Sequence, residues 1–242
     1  MTKQTLVDAG LWDPEQQTYA PMKYLCFGTG VTAIEPVLFR GCASLNRVEL
    51  PSSIVEIGYQ AFMDCTSLNA IRFPNCINGD GELGSQTSVN SQIFANCTSL
   101  SYVKIPGTLR KIPSTMFSGC SGLATVVLGP GIETIDSRAF FGCPLYGGIL
   151  YIPSSVKTIN GFAFQNGTFS EVMLCEGLES IGNCVFKNCT QLRSLTIPSS
   201  IDGDAIGDDA FVNCTSLDKI VFKNKNLDQV KAMPRYPWGL TT

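Results

Sequence analysis

The chain contains no histidine. That absence removes imidazole acid–base chemistry, Ser-His-Asp triads, Cys-His nucleophile pairs and His-ligated zinc together. No C-x-x-C pair occurs either, so a thiolate zinc site is not expected, and nothing in the sequence calls for a cofactor. Charge is scarce: only 15% of the 242 residues are Asp, Glu, Lys or Arg, and 17 basic against 20 acidic residues leave a net charge of −3. There is no basic block, which argues against nucleic acid or an anionic membrane as the main partner. No apolar run reaches the length of about eighteen residues that a membrane-spanning helix needs. The first residues carry a lysine but no apolar segment after it, so no targeting segment is visible. The remainder is 44% hydrophobic, enough to bury a sizeable core.

The dominant feature is a repeat. Phenylalanine recurs at positions 39, 62, 94, 117, 140, 164, 186 and 211, with spacings of 23, 32, 23, 23, 24, 22 and 25. A period near 23 is a solenoid signature in the leucine-rich-repeat range. Three residues after each Phe stands Cys42, Cys65, Cys97, Cys120, Cys143, Cys189 or Cys214, with Gly167 as the exception. Six after it stands Leu45, Leu68, Leu100, Leu123, Leu192 or Leu217. An apolar-x-apolar pair follows, as in Val103 and Ile105, and reads as a short strand buried at every second residue. Proline then ends many of these strands, for it cannot donate to a continuing ladder (Pro51, Pro106, Pro153, Pro198). The segment leading back to Phe and on to Cys has three- and four-residue apolar spacing, which predicts one helical or 3-10 turn in each repeat. One such unit cannot bury its apolar face alone, so eight must stack.

The stretch Leu50-Pro-Ser-Ser-Ile-Val-Glu-Ile-Gly-Tyr-Gln-Ala-Phe-Met-Asp-Cys-Thr-Ser-Leu68 resembles the BspA-like subclass of bacterial leucine-rich repeats, and the resemblance runs over residues 25–222. It implies a right-handed α/β leucine-rich-repeat solenoid of about eight repeats. It also implies a cell-surface or secreted protein, since family members often occur on bacterial surfaces and some adhere to matrix proteins or to other cells. The expected organisation is an N-terminal cap over residues 1–24, the solenoid over 25–222 with an insertion at about 76–91, and a C-terminal cap over 223–242. In that last segment Asn226 and Gln229 fit a capping box, Pro234 would stop the short helix, and Tyr236 and Trp238 would seal the last repeat.

Cysteine is abundant, at eleven residues. Seven fall in one column, where parallel side chains on neighbouring strands keep their Cβ atoms about 4.8 Å apart, beyond the mean disulfide separation of about 3.8 Å. A stack of reduced, buried thiols is therefore expected; Cys26, Cys76, Cys175 and Cys184 lie off the column. The insertion carries Asn78, Asp80 and Glu82 in alternation, but three oxygen ligands fall short of a calcium loop. Asp202, Asp204, Asp208 and Asp209 make a second acidic loop with the same reading. Glycosylation-like triplets begin at Asn96, Asn166, Asn188 and Asn213, and three of them contain a column Cys, so they read as by-products of the repeat.

The outward strand positions are the candidate site. Reading across the repeats, Arg72, Tyr102 and Lys104 lie in a mixed, charged half, and Val127, Ile149, Tyr151 and Met173 make an apolar patch in the next. Such a patch with a polar rim marks a binding surface. The chain is therefore read as a non-catalytic binding or adhesion module for a protein or glycan partner. The alternative is a structural subunit of a larger surface or virion assembly, joined through its ends. Because loop-length changes cost little entropy, the insertion should be dispensable. Deleting residues 79–86 is expected to leave a cooperative thermal melt within a few degrees of the parent; loss of folding would show that the loop packs on the core.

Overall fold

The structure is a computed structural model that describes residues 1–74, 91–201, 203–223 and 225. The chain winds as a parallel β-solenoid of about eight turns, with two ladders running along it. The long-strand ladder consists of Tyr24–Cys26, Arg47–Glu49 and Ala70–Arg72, then Tyr102–Ile105 and Thr125–Leu128, then Ile149–Ile152, Glu171–Leu174, Ser194–Ile197 and Lys219–Phe222. All pairings within these three groups are parallel and in register. The short-strand ladder joins Ala33–Ile34 to Glu56–Ile57, and Lys111–Ile112 through Thr134–Ile135 and Thr158–Ile159 to Ser180–Ile181, with a bridge onward to Ile206.

The third side of each coil is not a helix, contrary to the sequence reading. The backbone N–H groups around Phe62 show why. Those of Ala61, Met63 and Cys65 bond back three residues, to Gly58, Gln60 and Phe62. Those of Gln60, Phe62 and Asp64 instead cross to the next coil, to the carbonyls of Ser91, Ile93 and Ala95. An α-helix spends every interior N–H within its own segment; here alternate donors go to the neighbour, and the side is a third ladder in all but name. The geometry needs two left-handed residues per coil, two before and two after the Phe. The first set runs Val37, Gln60, Gln92, Thr115, Arg138, Phe162, Cys184, Asp209, and the second Gly41, Asp64, Asn96, Gly119, Gly142, Asn166, Asn188, Asn213. The second set holds only Gly, Asn and Asp, the residues that enter this region at least cost. The first includes β-branched Val37 and Thr115, held there by the inter-coil bonds. Among the described residues, helix is confined to Lys3–Asp8 and a 3-10 turn at Gly203–Ala205.

Inside, the eight phenylalanines form one continuous stack from Phe39 to Phe211. Successive ring centroids lie 5.2 to 5.8 Å apart with interplanar angles of 4 to 10°. Near-parallel rings at such separations are offset, the favoured arrangement, worth about 0.5–1.5 kcal/mol per pair beyond burial. The cysteine column lies beside the stack as a row of donors. The Sγ atoms of Cys65, Cys97, Cys120 and Cys143 reach the carbonyls of Phe39, Phe62, Phe94 and Phe117 at 3.0 to 3.3 Å. Cys189 and Cys214 do the same to Phe164 and Phe186, at 3.3 and 3.1 Å. Each thiol thus clips its coil to the preceding one. Burial pushes the column thiols at 42, 65, 97, 143 and 189 up from their ordinary value, and that of Cys214 to about 11, so they stay protonated and able to donate. At Gly167, where the column lacks a thiol, a Cβ would stand 2.3 Å from the ring of Phe169, which fills the space itself.

The sequence triplets of the Asn-Cys-Thr type are explained by the same coil. The Cys enters the core, and the exposed Asn adopts the left-handed conformation and bonds sideways. Asn188 donates to Asn166 at 3.0 Å and Asn213 to Asn188 at 2.9 Å; Asn96 donates to Asp64 at 2.9 Å. Gly119 continues the row without a side chain, because a Cβ there would come within 2.2 Å of Asn96 Oδ1. Residues 76 and 78–82 of the insertion, Asp202, and the aromatic tail with Tyr236 and Trp238 lie outside the described residues.

At the N-terminal end the helix Lys3–Asp8 is capped by Thr2, whose hydroxyl accepts from the Thr5 N–H, and it buries Leu6. A hairpin of Trp12–Asp13 and Thr18–Tyr19 follows. The Tyr19 ring lies on Phe39, centroids 6.5 Å apart, and its hydroxyl donates to the Leu38 carbonyl at 2.5 Å. Tyr19 therefore covers the first face of the phenylalanine stack, and Trp12 covers Tyr19 in turn at 4.5 Å.

Two outcomes follow. A thiol reagent is expected to label Cys26 rapidly in the native protein and the column cysteines only after denaturation without reductant; an intact mass showing two or more disulfides would contradict this. Phe140→Ala, which interrupts the stack at its middle, is expected to cost about 3–5 kcal/mol in urea melts. A loss below about 1 kcal/mol would mean that the stack is not a principal source of stability.

Candidate functional site

Two strands of opposite character define the outward face of the long-strand ladder. In Tyr102–Ile105 the side chains of Val103 and Ile105 are buried while Tyr102 and Lys104 are exposed. In Ile149–Ile152 the pattern repeats, with Leu150 and Ile152 inside and Ile149 and Tyr151 outside. The inward positions are consumed by the core, so only the alternate set remains to meet a partner.

All seven residues singled out from the sequence lie on this face and are exposed: Arg72, Tyr102, Lys104, Val127, Ile149, Tyr151 and Met173. Register sorts them into two groups. Arg72, Tyr102 and Lys104 line a cleft of about 360 Å³ together with Ile71, Phe73 and Pro106. The cleft lies where the ladder pairing stops between Ala70–Arg72 and Tyr102–Ile105. In the second group Tyr151 is the register partner of Met173, and Ile149 shares the strand with Tyr151. Val127 is paired with Lys104, on the cleft side of a second gap between Thr125–Leu128 and Ile149–Ile152.

That second gap has a local cause. The distance from Phe to the first outward strand residue is 8 in most coils, 9 from Phe140 to Ile149 and 7 from Phe164 to Glu171. One residue is thus added in one coil and removed in the next. The added residue is accommodated by Leu145 at φ 51° and Gly148 at φ 102°. Leu145 takes the buried column position, its N–H bonding the Leu123 carbonyl, and Tyr146 is pushed outward to 62% exposure beside the strand. Tyr146 is an exposed aromatic that the repeat analysis missed: six residues after Phe140 it stands where the leucine column predicts a buried side chain, but Leu145 takes that place.

Of the ten large apolar side chains left exposed among the described residues, seven sit on this ladder: Tyr24, Tyr102, Val127, Ile149, Tyr151, Met173 and Val221. The other sides of the coil dispose of their charges differently. There, cations and anions of successive coils pair off, as Arg40–Asp64 at 3.5 Å, Lys111–Asp136 at 3.1 Å, Lys157–Glu179 at 3.5 Å and Lys187–Asp209 at 3.3 Å. The last pair occupies one carboxylate of the acidic loop, and Asp204 and Asp208 lie close by in sequence. Among the described residues no group of three or more Cys, Asp or Glu side chains is arranged to hold a metal ion.

On the front face the charges are less evenly matched. Glu49 is held by Arg47 at 2.5 Å and by the Tyr24 hydroxyl, and only more distantly by Arg72, at 4.0 Å. Tyr24 and Arg47 depress the Glu49 carboxyl below its usual range, and the same hydrogen bond pushes the Tyr24 phenol up to about 12. Lys104 makes no ion pair among the described residues. At the other end, hydrogen bonding to Cys175 raises the Tyr151 phenol. No helix of the described residues is long and apolar enough to cross a membrane.

Comparison with known proteins agrees with this architecture. No curated protein sequence matches the chain. A leucine-rich repeat protein from Bacteroides ovatus is 22% identical, with a TM-score of 0.53 over 83% of this chain and 63% of that one. The T. pallidum leucine-rich repeat protein gives 22% and 0.53 over 85% and 86%. The pneumococcal vaccine antigen PcpA gives 18% and 0.55 over 83% and 60%. The chain thus spans less than two thirds of the first and third of these, and at such identities the likeness concerns the fold. The BspA type leucine-rich repeat region matches in six copies over residues 18–145, 87–202 and 149–233, and the chain belongs to that family.

Proposed function

We propose that the chain is a non-catalytic binding or adhesion module, acting at a cell surface or outside the cell, that takes a protein or glycan partner on the outward face of its long-strand ladder. The observation that carries this reading is the segregation of exposed apolar and aromatic side chains to that one face, while the flanks are tiled with inter-coil ion pairs. Apolar surface left in water is costly, and its concentration on one side is what an interface requires. Tyr102 and Tyr151 are the proposed anchors: each is about half exposed, stands on a rigid strand, and offers a large contact area for two side-chain torsions. Arg72 and Lys104 orient the partner, and Val127, Ile149 and Met173 supply the apolar floor. Family membership supports a repeat protein of the binding or adhesive kind.

The test begins with a screen of matrix proteins, immobilised glycans and cell surfaces for a ligand. Tyr102→Glu and Tyr151→Glu, alone and combined, are then compared with the parent, with circular dichroism as the fold control. Both side chains point into solvent, so folding is expected to survive. Binding should fall tenfold or more, about 1.4 kcal/mol. A folded double variant that binds like the parent would move the site to the ends or the flanks.

A further inference from the structure

The front face is two surfaces joined end to end, and the junction restricts what can lie on it. At the cleft, Arg72 and Lys104 occupy the same outward column in successive coils. Among the described residues the anion paired with Arg72 is Glu49, 4.0 Å away and already engaged by Arg47 and Tyr24. Lys104 faces no anion among the described residues, and its register partner is Val127. The cleft between them has an apolar floor from Ile71, Phe73 and Pro106, with Tyr102 as one wall. Its volume of about 360 Å³ lies in the range of clefts that hold a ligand group, roughly 300–1,000 Å³. Beyond Val127 the surface changes to Ile149, Tyr151 and Met173, with Glu171 in register with Ile149 and exposed Tyr146 three residues before it in the chain, and no basic residue among these five.

We propose, on the strength of the binding reading above, that the occupant is a segment of a protein that is acidic at one end and apolar at the other. It lies along the solenoid axis with its carboxylates in the Arg72–Lys104 cleft and its apolar side chains on Tyr151 and Met173. Two arguments choose a protein over a saccharide. The side chains of Val127, Ile149 and Met173 offer no donors or acceptors, so sugar hydroxyls laid on them would lose water without replacement, and the carboxylate of Glu171, in register with Ile149, is only partly exposed. The aliphatic and aromatic side chains of a protein gain from the same contact. The carboxylate end follows from charge: two cations with at most one shared counter-ion among the described residues attract an anion and reject a basic segment. The span is short. Three coil steps of about 4.8 Å separate Lys104 from Met173, roughly 15 Å, which about five extended residues cover.

The experiment is a selection of random twelve-residue peptides displayed on phage against the immobilised full chain. Enriched peptides would then be synthesised and measured by fluorescence anisotropy. The expected sequences carry two or more Asp or Glu on one side of an apolar or aromatic cluster. Their affinity should fall at least tenfold for Arg72→Glu/Lys104→Glu and, separately, for Tyr151→Ser/Met173→Ser. Peptides with acids replaced by Lys should regain binding to the Arg72→Glu/Lys104→Glu variant, which a merely structural role for those residues would not produce. Binding to the parent should weaken as salt is raised, because the charges are exposed. Enrichment without an acidic bias, or binding indifferent to Arg72→Glu/Lys104→Glu but lost with Tyr151→Ser/Met173→Ser, would overturn this inference and leave the strand-face reading standing. Indifference to both pairs would overturn both. No enrichment, or binding of uronate- or sulfate-bearing oligosaccharides through Arg72 and Lys104 in place of peptides, would also overturn the choice of a protein segment.

Discussion

From Phe39 to Phe186 every coil of this solenoid gives half of its turn-side N–H groups to the next coil, and the rest of the structure depends on that transfer. The donors at the Phe position and two residues to either side cross over; those between them close turns within the coil. A buried backbone donor without a partner is costly, so the crossing fixes the register of successive coils to the residue. Fixed register is what superimposes the phenylalanine rings at 5.2 to 5.8 Å and brings the column thiols after Cys42 to the Phe carbonyl of the coil before them. The aromatic stack and the thiol row are consequences of the hydrogen-bond pattern, and they reinforce it in return.

The same rule explains how an irregular pair of coils is tolerated. One residue is added between Phe140 and Ile149 and one is missing between Phe164 and Glu171, so the turn side and the short-strand ladder never leave register. The whole disturbance falls on the long-strand side. It opens a gap in the ladder and displaces Tyr146 outward, three residues before Ile149 in the chain. The third irregularity, the long spacing between Phe62 and Phe94, coincides with the other gap and with the cleft at Arg72 and Lys104. The paired one-residue changes thus fall on the front face alone, whereas at the long spacing both ladders are interrupted among the described residues, the short one between Glu56–Ile57 and Lys111–Ile112.

Much of this was legible because it recurs. The Phe, Cys and Leu columns each appear in most coils, and a period-2 strand tells directly which side chains point outward, as for Tyr102 and Lys104 beside Val103 and Ile105. The turn was misread because three- and four-residue spacing is common to a helix and to a chain of three-residue-return turns. The sign of φ separates them, and a signal for it was present. The position two after each Phe holds only Gly, Asp or Asn, from Gly41 to Asn213, which is the composition of a left-handed site and not of a helix interior. Tyr146 was hidden by its column: six after Phe140 it falls where leucine is buried in other coils, and only the one-residue shift to Leu145 turns it outward. The hydrogen bond of Tyr24 to Glu49 depends on adjacency between coils, which a single repeat does not reveal, whereas Arg47 reaches Glu49 along the same strand.

The division of labour among the sides of the coil bears on function. A solenoid surface is built of near-identical units, so like charges in one column would repel along the whole rod unless alternated or paired across coils. On the flanks the sequence does pair them, in bridges between exposed groups that contribute little stability each but leave little net field. The front face does not follow this practice at Arg72 and Lys104, where two cations succeed one another in a column, nor beyond Val127, where the polar residues give way to Ile149, Tyr151 and Met173. Stability alone favours neither choice: the adjacent cations repel, and the apolar residues are left in water. A partner both anionic and apolar, as proposed above, would relieve both. That asymmetry between matched flanks and an unmatched front is the physical reason for placing the partner there.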